Sequence, residues 1–188
     1  VSFGKFSLKK INLTQLREAD KTDSVALAKR KEKKLYRRNQ TFLFIGDSMV
    51  EGLSRRLGDY AGANGHKLYT VIWYGSTTEK WANSQTIEHF IKQYKPTYIL
   101  LCLGSNELFI NDLDAREANI KAIVAKLGNY PYVWISPASW NGDTGIINLM
   151  KKHTKQGCFF DSRGLKLKRG PDRYHPTWKA AALWLNKV

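Results

Sequence analysis

Three features of the sequence predict an α/β fold in which helices cover both faces of a parallel sheet. From Thr41 onward, short apolar runs alternate with segments that carry apolar residues at helical spacing, and this is the pattern of strands joined by helical crossovers. The first run, 42–45, is unbroken, as in a strand buried on both faces. A chain of 188 residues with 43% hydrophobic residues is long enough for one domain with a substantial core.

The predicted strands and helices follow one another in a regular order. After the first strand, Leu53, Leu57 and Tyr60 stand at helical spacing, and glycines at 62 and 65 end the segment. Right-handed crossovers between such units give a three-layer α/β/α arrangement. The predicted strands are 42–45, 67–74, 97–103, 132–135 and 158–160, and the predicted helices are 49–63, 79–94, 112–127, 146–153 and 177–186.

Residues 1–40 form a basic N-terminal extension that precedes the predicted domain, 41–188. The extension carries +8 of the net charge of +15, and its densest basic run is 29–38. Such a field attracts polyanions, including nucleic acid, anionic lipid and acidic cell-wall polymers. A solvated basic helix over 27–38 explains the run equally well. No fold signature for nucleic-acid binding accompanies it, so no specific nucleic acid is expected as a partner.

The cysteines and the hydropathy of the chain argue against a cysteine metal site, a redox pair and a membrane-spanning segment. Cys102 and Cys158 fall in apolar runs without the spacing of a metal site or a redox pair, and they are predicted to be core residues. In the expected sheet they lie about 10 Å apart, too far for a disulfide. No apolar run approaches the roughly 20 residues that span a bilayer. The chain starts at Val1, so an extracytoplasmic location is favoured if a leader was removed, and a cytoplasmic one otherwise.

A serine lies where the first predicted strand turns into a helix, in the sequence Gly46-Asp47-Ser48. Doubly wound sheets keep their working residues on loops at the carboxyl ends of the strands. At such a turn the Ser48 hydroxyl can attack a carbonyl while its backbone N–H lies at the positive end of the helix. Gly-Asp-Ser alone is a weak signal, because a serine here is also a common helix cap.

Two further strand ends carry groups that can bind an oxyanion. The second strand ends at Gly75, and the third is followed by Gly104-Ser105-Asn106-Glu107. A glycine after a strand permits a tight turn, which is its simplest explanation. The Asn106 amide is a neutral donor that can face the same oxyanion as the Ser48 and Gly75 backbone N–H groups. An Asx-turn is the structural alternative for Asn106.

Near the C-terminus, Asp172 and His175 precede the last predicted helix and stand three positions apart. At this spacing a turn allows the carboxylate to hydrogen-bond the imidazole, which selects its tautomer and stabilises the imidazolium. A structural histidine and a turn-capping aspartate are the alternatives. Because all four sites follow strands, they are predicted to meet at one edge of the sheet.

In these four motifs the chain resembles the SGNH hydrolases, also called GDSL esterases and lipases. The resemblance covers 41–188 and implies a flavodoxin-like sheet of order 2-1-3-4-5. It implies Ser48 as nucleophile, His175 as general base and Asp172 as its acid partner. The implied oxyanion hole comprises Ser48, Gly75 and Asn106. Neither a cofactor nor a metal is implied.

Two positions depart from the usual pattern of that family and leave the substrate more open than the class. Tyr74 stands before Gly75, where many members carry Asn, and Glu107 stands where Asp is frequent. The resemblance implies a serine esterase acting on short acyl groups, with an O-acetylated carbohydrate or cell-wall glycan as first expectation. An O-acetyltransferase using the same acyl-enzyme is the alternative. A non-catalytic polyanion-binding module is a further one.

Four aromatic residues near predicted loops bear on the choice of substrate. Aromatic rings at a site can stack on sugars, and they can equally fill a core. The sequence leaves both readings open for Trp73, Tyr74, Trp81 and Trp140.

Overall fold

The computed structural model describes residues 2–3, 6–7, 39–139 and 141–188. A parallel sheet of five strands lies at its centre. The strands are β3 (Thr41–Gly46), β4 (Lys67–Ile72), β5 (Tyr98–Cys102), β6 (Tyr132–Ile135) and β7 (Phe159–Phe160), and their spatial order is β4-β3-β5-β6-β7. In chain order within this sheet the arrangement is 2-1-3-4-5, as the family resemblance implied.

Helices connect the strands of the sheet. They are α1 (Met49–Ala63), α2 (Thr78–Asn83), α3 (Thr86–Tyr94), α4 (Leu113–Leu127), α5 (Ile146–His153) and α6 (Trp178–Leu185). A 3₁₀ turn, Ser105–Glu107, follows β5.

The alternation of side chains along the buried strands divides the core into two layers. Phe42 and Phe44 of β3 face one side, where they join buried residues of α1 and α6. Leu43 and Ile45 face the other side, where they join buried residues of α2, α3, α4 and α5. Apolar residues are needed on both faces because helices cover both, which explains the unbroken apolar run of this strand. The predicted α/β/α fold is confirmed.

One predicted helix, 79–94, is wrong as a single element, because it divides into α2 and α3. Ser84 is extended between them, with φ −106° and ψ 160°. Its hydroxyl accepts a hydrogen bond from Thr86 N at 3.4 Å, while its carbonyl accepts one from Lys126 Nζ at 2.7 Å. Serine competes with helical hydrogen bonding in this way through its own side chain. The partner, Lys126, lies on α4 and could not be identified from local sequence.

The N-terminal extension is described only in small part. Two short strands, β1 (Ser2–Phe3) and β2 (Phe6–Ser7), pair antiparallel, and the sequence had not predicted them. The basic run 29–38 and the possible helix 27–38 lie outside the described residues. In the part of the chain that is described, no helix is long and apolar enough to cross a bilayer.

The two cysteines do not form a disulfide. Cys102 is buried at the end of β5, and Cys158 is half-buried just before β7. Since β6 lies between these strands, the expected separation by one strand holds. Burial raises the pKa of the Cys102 thiol well above its usual value, and the nearby Asp47 raises it further.

Gly46, the last residue of β3, leaves no room for a side chain between β5 and the first turn of α1. A Cβ atom at this position would lie 2.0 Å from the Cys102 carbonyl oxygen and 2.7 Å from Val50 Cγ2. Neither the backbone of a central strand nor the buried first turn of α1 can move freely, so only glycine fits.

We therefore expect Gly46→Ala to lower the free energy of unfolding by about 2 kcal/mol or more, because the added methyl overpacks the sheet. Gly62→Ala is the matched control, since a Cβ there meets nothing within 4 Å and alanine favours the helix by up to about 1 kcal/mol. Urea unfolding followed by circular dichroism measures both. Equal stabilities of the two variants would contradict this account of Gly46.

Candidate active site

The residues singled out from the sequence lie at the carboxyl edge of the sheet. Ser48 follows β3, Gly75 follows β4, Asn106 lies in the 3₁₀ turn after β5, and His175 precedes α6. Ser48 occupies the N-cap position of α1 without a side-chain capping hydrogen bond. The hydroxyl is thus not used as a cap, which was the structural alternative for this serine.

Ser48, His175 and Asp172 form a continuous hydrogen-bonded chain. His175 Nε2 lies 2.7 Å from Ser48 Oγ, and His175 Nδ1 lies 2.7 Å from Asp172 Oδ2. The two partners bind opposite nitrogens of the ring, so a proton on Nδ1 leaves Nε2 free to accept the serine proton. The His175 and Asp172 side chains are 45% and 49% exposed, which leaves this chain open to solvent.

Asp172 also organises the turn that carries the histidine. Its Oδ1 accepts hydrogen bonds from the backbone N–H groups of Tyr174 and His175, at 2.9 and 3.0 Å. Together with the imidazole, which contributes most, these donors lower the pKa of Asp172 to about 2. The carboxylate is therefore ionised throughout the neutral range, and it serves both the turn and the ring.

Arg169 holds the same turn against the body of the protein. Its guanidinium donates to the Tyr174 carbonyl at 2.7 Å and to the Ala138 carbonyl at 2.6 Å. Ala138 lies in the loop that follows β6, so one side chain joins two loops. Sequence reasoning missed this residue, because nothing local distinguishes it from other arginines of a basic chain.

Gly75 and Asn106 are linked through Ser76, which lies in the loop between β4 and α2. Asn106 Nδ2 donates to the Ser76 carbonyl at 2.8 Å, and the same amide nitrogen carries a second hydrogen. Gly75 has φ +64°, and a Cβ added at this position would meet nothing within 4 Å. Glycine is therefore favoured by backbone conformation and not by lack of space.

Asp47 connects the turn of the serine to the turn after β5. Its carboxylate is fully buried and accepts hydrogen bonds from Met49 N and Ser105 N, both at 3.0 Å. Burial raises the pKa of Asp47, and the backbone donors oppose this rise. The sequence pattern predicted no role for Asp47 beyond its place in the serine motif. Its role depends on a contact 58 residues away along the chain.

Glu107 is buried, and its carboxylate holds together the segments next to the Gly75 turn. One carboxylate oxygen accepts Thr78 N at 2.5 Å, and the other accepts Thr78 Oγ1 at 2.9 Å and the Arg116 guanidinium at 2.8 Å. These bonds join the 3₁₀ turn to the start of α2 and to α4. Glu107, which stands where Asp is frequent in the resembled family, thus has a structural role. Its hydrogen bonds compensate for the cost of burying the carboxylate.

The four aromatic residues considered as sugar-stacking groups separate into different environments. Trp81 is fully buried, with its indole N–H bonded to Ser76 Oγ at 2.8 Å, and Trp73 is half-buried against the same core layer. Tyr74 is 60% exposed beside Gly75. Its hydroxyl hydrogen-bonds Glu51 in the first turn of α1, and partial desolvation of the hydroxyl together with this carboxylate raises the pKa of Tyr74. Trp140 lies outside the described residues.

No group of three or more His, Cys, Asp or Glu side chains within the described ranges is arranged to hold a metal ion.

Solved structures of esterases and acylhydrolases share this fold at low sequence identity. A lipase/acylhydrolase from Enterococcus faecalis is 16% identical with a TM-score of 0.59, and the match covers 79% of this chain and 95% of that one. The acetyl xylan esterase AlAXEase is 17% identical with a TM-score of 0.60, over 78% and 96% of the two chains. TesA is 17% identical with a TM-score of 0.54, over 79% and 96%.

No protein-family model matches the chain, and no curated protein matches it in sequence. At such identities, structural similarity establishes a shared fold and leaves activity to be argued from the site. The fold is that of a class of proteins whose solved members include an acetyl xylan esterase and a lipase/acylhydrolase. The resemblance found in the four sequence motifs agrees with this result.

The depressed pKa of Asp172 leads to a stability prediction. An aspartate whose pKa falls from 3.8 to about 2 on folding stabilises the folded state above pH 4, and this contribution disappears as the pH falls through about 2. We expect Asp172→Asn to lower the melting temperature at pH 5, and the difference from wild type to shrink toward pH 2. Scanning calorimetry across this range tests it, with Asp114→Asn as a charge-matched control. A difference independent of pH would contradict the assigned role of the carboxylate.

Proposed function

We propose that this protein is a serine esterase that hydrolyses short acyl esters, with acetyl as the expected acyl group. The observation that carries the proposal is the 2.7 Å contact between His175 Nε2 and Ser48 Oγ, with Asp172 on the opposite ring nitrogen. A hydroxyl, an imidazole and a carboxylate in this order form the arrangement that activates serine for acyl transfer. The shared fold with esterases supports the same class, and residues 41–188 are the proposed catalytic domain.

The proposed reaction proceeds in two steps. His175 Nε2 takes the proton of Ser48 Oγ as the oxygen attacks the ester carbonyl, and Asp172 stabilises the imidazolium that forms. Collapse of the tetrahedral intermediate expels the alcohol, which receives the proton from His175. Water then attacks the acyl-enzyme with His175 again as base, releasing the acid and restoring the serine.

The oxyanion of the tetrahedral intermediate is proposed to accept hydrogen bonds from Ser48 N, Gly75 N and Asn106 Nδ2. The bond from Asn106 to the Ser76 carbonyl supports this role, because it fixes the amide beside the Gly75 turn. The buried carboxylate of Asp47 similarly fixes the turn of Ser48 relative to the turn of Asn106. Donors held before the reaction need no reorganisation when charge develops on oxygen, and this is the source of their effect.

The proposed substrate is an O-acetylated carbohydrate, such as a cell-wall glycan, in which a sugar hydroxyl forms the alcohol part of the ester. Two exposed tyrosines flank the reactive groups in sequence, Tyr74 beside Gly75 and Tyr174 beside His175. Exposed aromatic rings provide flat apolar surfaces on which sugar rings can stack. One structure of the same fold is an acetyl xylan esterase, and the open position of His175 and Asp172 suits a polymeric substrate.

An O-acetyltransferase is the alternative, since the same acyl-enzyme can react with a sugar hydroxyl in place of water. The solvent exposure of the triad gives an acceptor alcohol access to it. Transfer of acetyl from p-nitrophenyl acetate to xylan oligosaccharides, measured against release of free acetate, separates the two reactions. Acetylated sugar as the main product would favour the transferase. The polyanion-binding alternative rests on 29–38, which is outside the described residues.

The nucleophile gives the most direct test. We expect Ser48→Ala to abolish hydrolysis of p-nitrophenyl acetate while the melting temperature stays close to wild type, because the hydroxyl supplies the attacking oxygen and caps no helix. Ser54→Ala, which alters a hydroxyl in the same helix that bonds only the Glu51 carbonyl, is the control and should keep full activity.

A series of p-nitrophenyl esters of increasing chain length, run with the wild type and Ser48→Ala, examines acyl specificity. Highest kcat/KM for acetyl is expected. A preference for chains longer than about eight carbons would reject the short-acyl substrate while keeping the hydrolase, since pocket size limits the acyl group. Unchanged activity of Ser48→Ala would reject the esterase itself.

Asn106→Ala should lower kcat by about 100- to 1000-fold with little change in KM, because an oxyanion donor acts mainly in the transition state. Asn111→Ala removes a nearby exposed amide and should leave both constants unchanged. Steady-state kinetics on p-nitrophenyl acetate give the comparison. A loss confined to KM would assign Asn106 to ground-state binding instead.

A further inference from the structure

A groove lies on the surface between 164–168 and α6, apart from the Ser48 hydroxyl. Its volume is about 480 Å³. One side is the chain segment that leads to the His175 turn, and the other side is the outer face of the last helix.

The floor of the groove is apolar. Leu165 and Leu167 pack partly buried against the core layer of α1 and α6, and Ala180 and Trp184 are buried beneath the groove. Leu183 stands at the rim and is 56% exposed. Leu183 therefore adds to the apolar surface that a ligand in the groove can cover.

The rim of the groove is basic. Lys166, Lys168, Lys179 and Lys187 are all exposed, and no acidic residue occurs among the described residues that line the groove. The lysines that form ion pairs in the described part of the chain are 121, 126, 151 and 152, none of which is at the groove. Four positive charges thus surround an apolar surface without a neutralising carboxylate in the groove.

The spacing of residues in and just after α6 places lysine charges beside the exposed leucine of the groove. Lys179, Leu183 and Lys187 follow one another at intervals of four, and Lys187 N still bonds the Trp184 carbonyl beyond the end of α6. Residues four apart lie on one side of a helix. The long lysine side chains can therefore extend their charges around the leucine while their methylene groups remain on the apolar surface.

We propose that this groove attaches the protein to a negatively charged phospholipid surface. Acidic headgroups are the complement of the four lysines, and the apolar floor with Leu183 suits the start of an acyl chain. An acidic polysaccharide would satisfy the charges but would place polar hydroxyls on the apolar floor, which carries an energetic cost. The two parts of the groove together therefore favour a lipid.

Attachment here would bring the candidate active site to the membrane. Thr177 lines the groove and is two residues beyond His175, so the bound surface borders the turn that carries the imidazole. The lipid site itself does not depend on the proposed esterase activity, and it uses other residues than the basic run 29–38.

Vesicle co-sedimentation of the full chain tests the proposal. The vesicles are phosphatidylcholine alone or phosphatidylcholine with about one third phosphatidylglycerol, a content that gives a strongly negative surface. The groove variant replaces Lys166, Lys168, Lys179 and Lys187 with Gln. The charge-matched control replaces four exposed lysines outside the groove, Lys67, Lys92, Lys95 and Lys155, with Gln. Leu183→Asn tests the apolar part without a change of charge.

We expect wild type to bind only the acidic vesicles and the groove variant to bind them at least about tenfold more weakly, with a smaller loss, below about threefold, for the control variant. Leu183→Asn should also weaken binding several-fold. Equal losses in the two lysine variants, or no binding by wild type, would overturn the proposal. So would a result in which the groove variant loses affinity for polygalacturonate alone and Leu183→Asn changes nothing, since the groove would then be an acidic-glycan site. Melting temperatures of all variants confirm that they are folded.

Discussion

The buried carboxylate of Asp47 is the interaction on which the geometry of the site depends. Its two oxygens accept backbone N–H groups from the first turn of α1 and from the turn after β5, so one side chain sets the relative position of Ser48 and the 3₁₀ turn that carries Asn106. A buried carboxylate is tolerated only when such donors satisfy it. The Asp47 backbone N–H in turn donates to the Cys102 carbonyl at 3.0 Å, which ties this residue to the end of β5.

The histidine reaches the serine through a second set of contacts, which involve the last helix and Arg169. At Gly52 a Cβ would lie 2.7 Å from the Cβ of Ala181, so α1 and α6 pack closely near their ends at the site. Arg169 then fixes the turn between the last strand and α6 to the loop after β6. Close helix packing and a long-range arginine together bring residues 127 positions apart into contact.

The sequence predicted the layer architecture and the residues that meet at the strand ends, because these follow from local patterns. Unbroken apolar runs such as 42–45 identify buried strands, and strand ends of a doubly wound sheet meet at one edge. The break at Ser84, the anchoring by Glu107 and the role of Arg169 were not predictable in this way. Each depends on a partner distant in sequence, which is Lys126, Thr78 and Ala138 respectively. The burial of Trp81 depends on the packing of α2, in which the indole N–H bonds Ser76.

The last strand of the sheet, β7, contains only two residues. A sheet edge exposes backbone donors and acceptors that can pair with another molecule, and a short edge strand offers few of them. The described sheet therefore presents little template on this side for intermolecular strand addition. The short length of β7 therefore protects a chain with many apolar strand residues against aggregation at this edge. This protection is independent of the high positive charge of the chain.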